Sequence, residues 1–99
     1  MMKRKILFGA GKIGDTAYEL FDEGQVAYYV DNNADNVGNI KNGVEIISFE
    51  EFIRIHKDYD IVVSVGKNAA LDVMKQLKDA GIEEFTTYQE IVTKLKRPQ

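Results

Sequence analysis

The stretch that decides the fold reads ILFGAGKIG, at positions 6–14. Its first three residues are apolar and predict a buried strand. The strand leads directly into Gly9-Ala10-Gly11-Lys12-Ile13-Gly14, a complete G-x-G-x-x-G, which opens a helical pattern. Strand, glycine turn and helix in this order are the context that a phosphate-binding turn requires.

Each glycine of this turn has a different physical role. Gly9 permits the tight turn, Gly11 lets the backbone approach a phosphate, and Gly14 lets the helix pack against the strand. A diphosphate would lie against the free N–H groups of a helix that starts near Ile13. The predicted phosphate-binding residues are Gly9, Ala10, Gly11, Lys12, Ile13 and Gly14.

An acidic residue follows the second predicted strand, Val26–Val30. Asp31 falls about twenty residues beyond Gly11, where this motif places the carboxylate that binds ribose. We include Asn32 in the predicted site. The alternative is that residues 31–33 form only a turn that ends the strand, since Asp and Asn favour turns and glycine loops also occur in domains that bind nothing.

Composition narrows the functional classes. The 99 residues predict one domain, 1–99, with an ordinary apolar fraction of 44%. The chain has no cysteine, which excludes thiolate metal sites, and no metal is expected. A net charge of -3 argues against a nucleic-acid partner. No segment is apolar enough to insert into a membrane, and residues 1–5 do not begin a signal peptide, so we expect a cytoplasmic protein.

The rest of the chain alternates strands with helices. Residues 13–21 predict a helix that Gly24 ends, and residues 31–43 predict a loop. Further strands are predicted at 44–47, 61–65 and 84–86. Capping boxes at 48–51 and 87–90 each open a helix, and Asn68 is predicted to cap another. Pro98 is expected to end the last helix.

This alternation predicts an α/β fold of three layers, with a parallel sheet of about five strands in the order 3-2-1-4-5. The first and fourth strands are then neighbours, and a crevice opens beyond their carboxyl ends. Residues 64–68 would meet the glycine turn there. We therefore add Ser64, Gly66 and Lys67 to the predicted site, with Lys67 as a cation for a phosphate or as an ordinary loop lysine.

Several segments in succession carry a family resemblance: 5–14, 30–33, 43–47, 60–65 and 76–82. They resemble the small Rossmann-like domains of bacterial surface-polysaccharide proteins, which are fused to glycosyltransferases, acetyltransferases or methyltransferases. They are also similar to the CoA-binding and redox-repressor Rossmann group. The resemblance covers nearly the whole chain.

The resemblance implies a domain that holds a small-molecule nucleotide, either NAD or a nucleotide-sugar. Gly9, Gly11 and Gly14 would cradle its phosphates and Asp31 would bind the ribose hydroxyls. No Arg or Lys stands beside Asp31, which favours NAD over NADP. The resemblance also implies a catalytic transferase domain on another chain or on the same parent protein, since this sequence ends at Gln99 without one.

Three functions remain open at this point. The first is a nucleotide-binding accessory module, because no catalytic residues are apparent and His56, the only histidine, suits a helix end. The second is an NAD-dependent sugar-nucleotide oxidoreductase or epimerase, although no Tyr-x-x-x-Lys is present. The third is a structural domain with a decayed site, in which Asp15 would repel a phosphate. Pairing into a homodimer is compatible with each.

Overall fold

A computed structural model describes residues 3–95, so the predicted helix end at Pro98 lies outside the described residues. The strands are β1 Lys5–Phe8, β2 Val26–Val30, β3 Ile40–Lys41, β4 Val44–Ile47, β5 Asp60–Val63 and β6 Thr86–Thr87. The α-helices are α1 Lys12–Tyr18, α2 Phe49–Ile55, α3 Lys67–Asp79 and α4 Tyr88–Leu95. Short 3-10 helices cover Ala34–Asn36 and His56–Asp58.

The sheet has the order β3-β4-β2-β1-β5-β6. Strand β1 lies between β2 and β5 and is parallel to both, so that Phe8 is in register with Val30 on one side and with Val63 on the other. The five parallel strands, β4-β2-β1-β5-β6, follow the order predicted from sequence. The prediction was wrong in omitting β3, which pairs antiparallel with β4.

Residues of β1 alternate between two buried cores, one on each face of the sheet. Ile6 and Phe8 belong to the core covered by α2 and α3, whereas Leu7 belongs to the core beneath α1 and α4. Phe52 of α2 and Leu77 of α3 are fully buried in the first core. A parallel sheet with helices on both faces is the three-layer Rossmann-like arrangement that the sequence predicts.

Three element boundaries differ from the predictions. Helix α1 ends at Tyr18, because the N–H groups of Leu20 and Phe21 turn back to carbonyls three residues earlier. Gly24, expected to end this helix, instead adopts a φ of +85° in the turn before β2. Helix α3 begins two residues earlier than expected, since Gly66 rather than Asn68 is its N-cap. The last strand is Thr86–Thr87 rather than 84–86.

Both predicted capping boxes cap their helices. Ser48 Oγ accepts from the backbone N–H of Glu51 at 3.1 Å, and Thr87 Oγ1 accepts from that of Glu90 at 3.1 Å. These caps fix where α2 and α4 start relative to the sheet. Helices α1 and α3, which start at the β1–β5 crevice, have glycine as N-cap residue. Their first N–H groups therefore receive no hydrogen bond from an N-cap side chain, unlike those of α2 and α4.

Candidate functional site

Gly9 directly follows β1 and lies against Ser64 and Val65, which follow β5. Its φ of +124° is a conformation that side chains disfavour. A Cβ at this position would lie 2.5 Å from Val65 Cγ1 and 2.6 Å from the Ser64 carbonyl oxygen. The close approach of β1 and β5 therefore requires glycine here.

Gly14 is required by the packing of α1 on the turn. A Cβ there would collide with the carbonyl oxygen of Gly9 and lie 3.2 Å from Tyr29 Cε1. The Tyr29 hydroxyl donates to the Gly14 carbonyl at 3.2 Å. Burial raises the pKa of Tyr29, so the phenol keeps the proton that this hydrogen bond uses.

Gly11 differs from the other two glycines of the motif. Its backbone is extended with a negative φ of -91°, and a Cβ built on it meets no atom within 4 Å. It is the N-cap of α1, a position at which Ser, Thr, Asp or Asn would satisfy a free N–H group. No contact within the chain requires glycine here, although glycine is itself a common N-cap residue, and the space in front of it is open.

Ser64 joins the end of β5 to the glycine turn. Its side chain is buried, and its hydroxyl donates to the carbonyl of Gly9 at 2.9 Å. The predicted meeting of the two segments at the crevice is therefore present. Because the Ser64 hydroxyl is used in this way, the residue positions the turn.

We expect Ser64→Ala to lower the free energy of unfolding by about 1 to 2 kcal/mol, because the buried Gly9 carbonyl loses its partner. Urea denaturation measures the change, with Thr93→Val as control for the loss of an exposed hydroxyl. Equal stability of Ser64→Ala and the wild type would contradict this role.

Gly66 and Lys67 lie at the start of α3, and both are exposed. A Cβ on Gly66 would also meet nothing within 4 Å. The carbonyl of Val65, which precedes them, accepts from Gln89 Nε2 of α4 at 2.9 Å. This hydrogen bond fixes the loop after β5 to α4. Lys67 is exposed, and it lies beyond the carboxyl ends of the strands, as does Lys12, the first residue of α1.

Asp31 follows β2 at that same edge, and its carboxylate already serves its own loop. Oδ1 accepts from the backbone N–H of Asn33 at 2.9 Å, and Oδ2 accepts from Asn36 Nδ2 at 3.1 Å. Residues 31–33 thus form a turn, which is compatible with either interpretation of the segment. Each carboxylate oxygen has a second lone pair, so these bonds leave capacity for ribose hydroxyls.

Asn32 forms a contact that sequence analysis missed. Its Nδ2 donates to Gln76 Oε1 at 2.8 Å, and Gln76 Nε2 donates back to Asn32 Oδ1 at 3.0 Å. This reciprocal pair joins the loop after β2 to helix α3. Gln76 carries no sequence signal, because a single amide on a helix is typical of a solvated face.

Asp15, which raised the concern of repelling a phosphate, is paired within the chain. Lys41 Nζ lies 3.0 Å from Asp15 Oδ1, and Asn42 Nδ2 donates to the same oxygen at 3.0 Å. Asn42 Nδ2 also donates to the Tyr29 hydroxyl at 2.9 Å. The β3–β4 turn therefore reaches α1 and offsets the charge of Asp15.

The hydrogen bond from Lys41 holds the pKa of the Asp15 carboxyl below its ordinary value of 3.8. We expect Asp15→Asn to cost less than about 1 kcal/mol of stability at pH 7, since the pair is partly exposed. Because the Asp15 pKa is lower in the folded than in the unfolded chain, the ionised carboxylate stabilises the fold above pH 3.8. This stabilisation is lost as the pH falls through the pKa of the folded state. The free energies of unfolding of the wild type and of Asp15→Asn should therefore become equal in that acidic range. A difference that persists there would contradict the ion pair as its cause.

Other features lie away from the crevice. His56 follows α2 at the opposite edge of the sheet, where burial lowers its pKa.

Within residues 3–95, no group of three or more His, Cys, Asp or Glu side chains could hold a metal ion. None of the helices in this described range is long and apolar enough to span a bilayer.

Comparison with known sequences decides the family. A family model described as C2185-like, N-terminal, matches residues 1–91 of this chain. The chain belongs to the C2185-like N-terminal family. Among proteins with curated descriptions, none is similar in sequence to this C2185-like domain.

The C2185-like domain is similar in fold to solved Rossmann-type structures. The Rex-family repressor RSP is 20% identical, with a TM-score of 0.63 over 88% of this chain and 45% of the repressor chain. RSP in complex with beta-NADH is 23% identical, with a TM-score of 0.61 over 88% and 46% of the two chains. UDP-D-quinovosamine 4-dehydrogenase from Vibrio fischeri is 15% identical, with a TM-score of 0.65 over 96% and 87%. The C2185-like domain thus spans less than half of the repressor chain.

Proposed function

We propose that this chain binds a nucleotide, either NAD or a nucleotide-sugar, and has no catalytic chemistry of its own. The observation that carries the proposal is the open space at Gly11. Packing within the chain requires Gly9 and Gly14 to be glycine, whereas at Gly11 no contact within the chain requires it and the backbone is open to an outside group. A phosphate could approach the backbone there.

The proposed contacts follow the order of groups along a nucleotide. Backbone N–H groups from Gly11 to Gly14 would hold the diphosphate, because the first N–H groups of α1 have no partner within the helix, whereas the Gly9 N–H already donates to the Val30 carbonyl. Lys12 and Lys67, exposed at the same edge, would offset its charge. The free lone pairs of Asp31 would accept from the ribose hydroxyls. No cation stands beside Asp31 in the sequence, which favours NAD over NADP.

A nucleotide is a better match for this chain than a nucleic acid. One RSP structure holds both beta-NAD+ and operator DNA, and the chain covers 43% of that repressor chain. A net charge of -3 does not provide the clustered Lys and Arg side chains that bind a phosphate backbone. We therefore propose the small molecule alone as the ligand.

The proposed setting is surface-polysaccharide synthesis, in which the domain would serve as an accessory to a transferase. The sequence resemblance to domains fused to glycosyltransferases supports this setting. The likeness in fold to an enzyme that acts on a UDP-sugar is consistent with it.

Thermal unfolding with candidate ligands tests the proposal. NAD+, UDP-glucose and CoA are each added at increasing concentration, because a ligand that binds only the native state must raise the Tm. At a hundred times its Kd, the ligand stabilises the fold by about 2.7 kcal/mol. We expect a concentration-dependent rise with NAD+ or with UDP-glucose. No rise with any of the three would contradict nucleotide binding.

A second candidate is an NAD-dependent sugar-nucleotide dehydrogenase. The observation in its favour is that the dehydrogenase from Vibrio fischeri matches over 87% of its own chain, so a polypeptide of this size carries that name. NAD would supply hydride transfer in such an enzyme. Reduction of NAD+ in the presence of UDP-sugars, followed by absorbance, would favour this candidate over the accessory module.

A further inference from the structure

We infer that the amide pair of Asn32 and Gln76 is a clasp over the base end of the proposed nucleotide site, and that the base opens it by taking the place of Gln76. The inference rests on the proposed function, because it needs a nucleotide on the glycine turn. It adds a base-reading residue, Asn32, and a competing residue, Gln76.

The clasp joins the two segments that flank the carboxyl end of β1. Asn32 lies two residues beyond Val30, which is in register with Phe8 on one side of β1. Gln76 lies in α3, the helix that follows β5 on the other side of β1. The glycine turn begins directly after Phe8. The hydrogen bonds of 2.8 and 3.0 Å therefore connect the loop after β2 with helix α3.

The covalent order of a nucleotide directs its base toward this clasp. With the phosphates on the glycine turn after β1 and the ribose on Asp31 after β2, the base extends beyond Asp31. Asn32 is the next residue. Gln76 also lines a groove of about 430 Å³ with Phe49, Asp72 and Lys75, which provides room beside the clasp.

The chemistry of the pair allows a base to replace one amide. Each carboxamide donates one N–H and accepts at its oxygen, so each presents a donor beside an acceptor. A nucleobase edge has the same arrangement, as in the bidentate contact between Asn and adenine. Asn32 is exposed and Gln76 half-buried, so water can satisfy Gln76 after it is released.

Two variants distinguish a clasp from a simple structural link. Asn32→Leu has nearly the shape of Asn but cannot bond to a base, and we expect it to raise the Kd about tenfold. Gln76→Met keeps a helix-forming side chain without the amide, so Asn32 is free, and we expect the Kd to fall about threefold. Both variants remove the same amide pair. Opposite effects on affinity therefore cannot come from loss of that link alone.

The Kd values are measured by calorimetry with NAD+ and with UDP-glucose, whose bases differ. Ribose 5-phosphate, which has no base, is the control ligand, and its affinity should be equal in all three proteins. A second readout is the NMR signals of the side-chain amides. Those of Asn32 should shift on binding while those of Gln76 move to the position of a solvated amide.

The results separate this inference from the proposed function. Opposite effects of the two variants, for whichever nucleotide binds, support the clasp. Equal losses of affinity, or no change in either variant while the wild type binds, would overturn the clasp and leave nucleotide binding intact. Failure of the wild type to bind either nucleotide would overturn both.

Discussion

Gly9→Ala is expected to destabilise the chain by about 4 kcal/mol. The backbone at this position has a φ of +124°, which costs a non-glycine residue about 1 to 3 kcal/mol. The new Cβ also collides with the carbonyl of Ser64 and with Val65, which adds about 1 to 3 kcal/mol of overpacking. The Ser64 carbonyl cannot withdraw easily, because the Ser64 N–H donates to the Phe8 carbonyl and its hydroxyl donates to the Gly9 carbonyl, both at 2.9 Å.

Gly81→Ala is the matched control for this prediction. Gly81 also has a positive φ, +83°, but a Cβ there meets nothing within 4 Å. Its substitution should cost about 1 to 2 kcal/mol, from backbone conformation alone. Urea unfolding of the two variants compares the costs directly. Equal costs would show that β1 and β5 do not approach as closely at Gly9 as the structure indicates.

Gly11→Val is expected to weaken nucleotide binding about a hundredfold while the chain still folds. A Cβ at Gly11 meets no atom within 4 Å, so the free energy of unfolding should fall by about 1 kcal/mol, the usual effect of losing a favourable N-cap residue. A nucleotide, however, would meet the new side chain where its phosphates lie. Loss of two charge-assisted hydrogen bonds to the backbone weakens binding by about a hundredfold.

Two further variants make the Gly11 prediction specific. Gly11→Ala adds a single methyl group and should weaken binding less than Gly11→Val. Thr93→Val places the same side chain at an exposed position of α4 and should leave the Kd unchanged. Calorimetry with NAD+ and UDP-glucose measures all three. Wild-type affinity in Gly11→Val would mean that the open space at Gly11 receives no ligand.

The sequence predicts the central part of the fold because local signals and sheet topology agree there. Apolar runs at β1 and β5 specify parallel strands buried on both faces, and the glycine turn specifies where α1 begins. The predicted roles of Gly9 and Gly14 correspond to real steric requirements. The contact between the ends of β1 and β5 follows from the strand order.

What the sequence could not predict depends on pairing between distant residues. Strand β3 consists of Ile40–Lys41, and its alignment on β4 is not visible in a stretch rich in Asn. The same hairpin brings Asn42 to Asp15 and Tyr29. Gln76 meets Asn32 across 44 positions of sequence. Polar side chains without periodicity carry no signal of their long-range partners.

The central claim is that the glycine turn receives the diphosphate of a nucleotide. Its most direct test is a titration of the isotope-labelled chain with NAD+ and with UDP-glucose, followed by backbone amide NMR signals. We expect saturable shifts of Gly11, Lys12 and Ile13, together with Asp31, for one of the two ligands. Saturable shifts confined to the cavity at the opposite edge of the sheet, lined by Phe21 and Phe85, or no shifts at all, would contradict the claim.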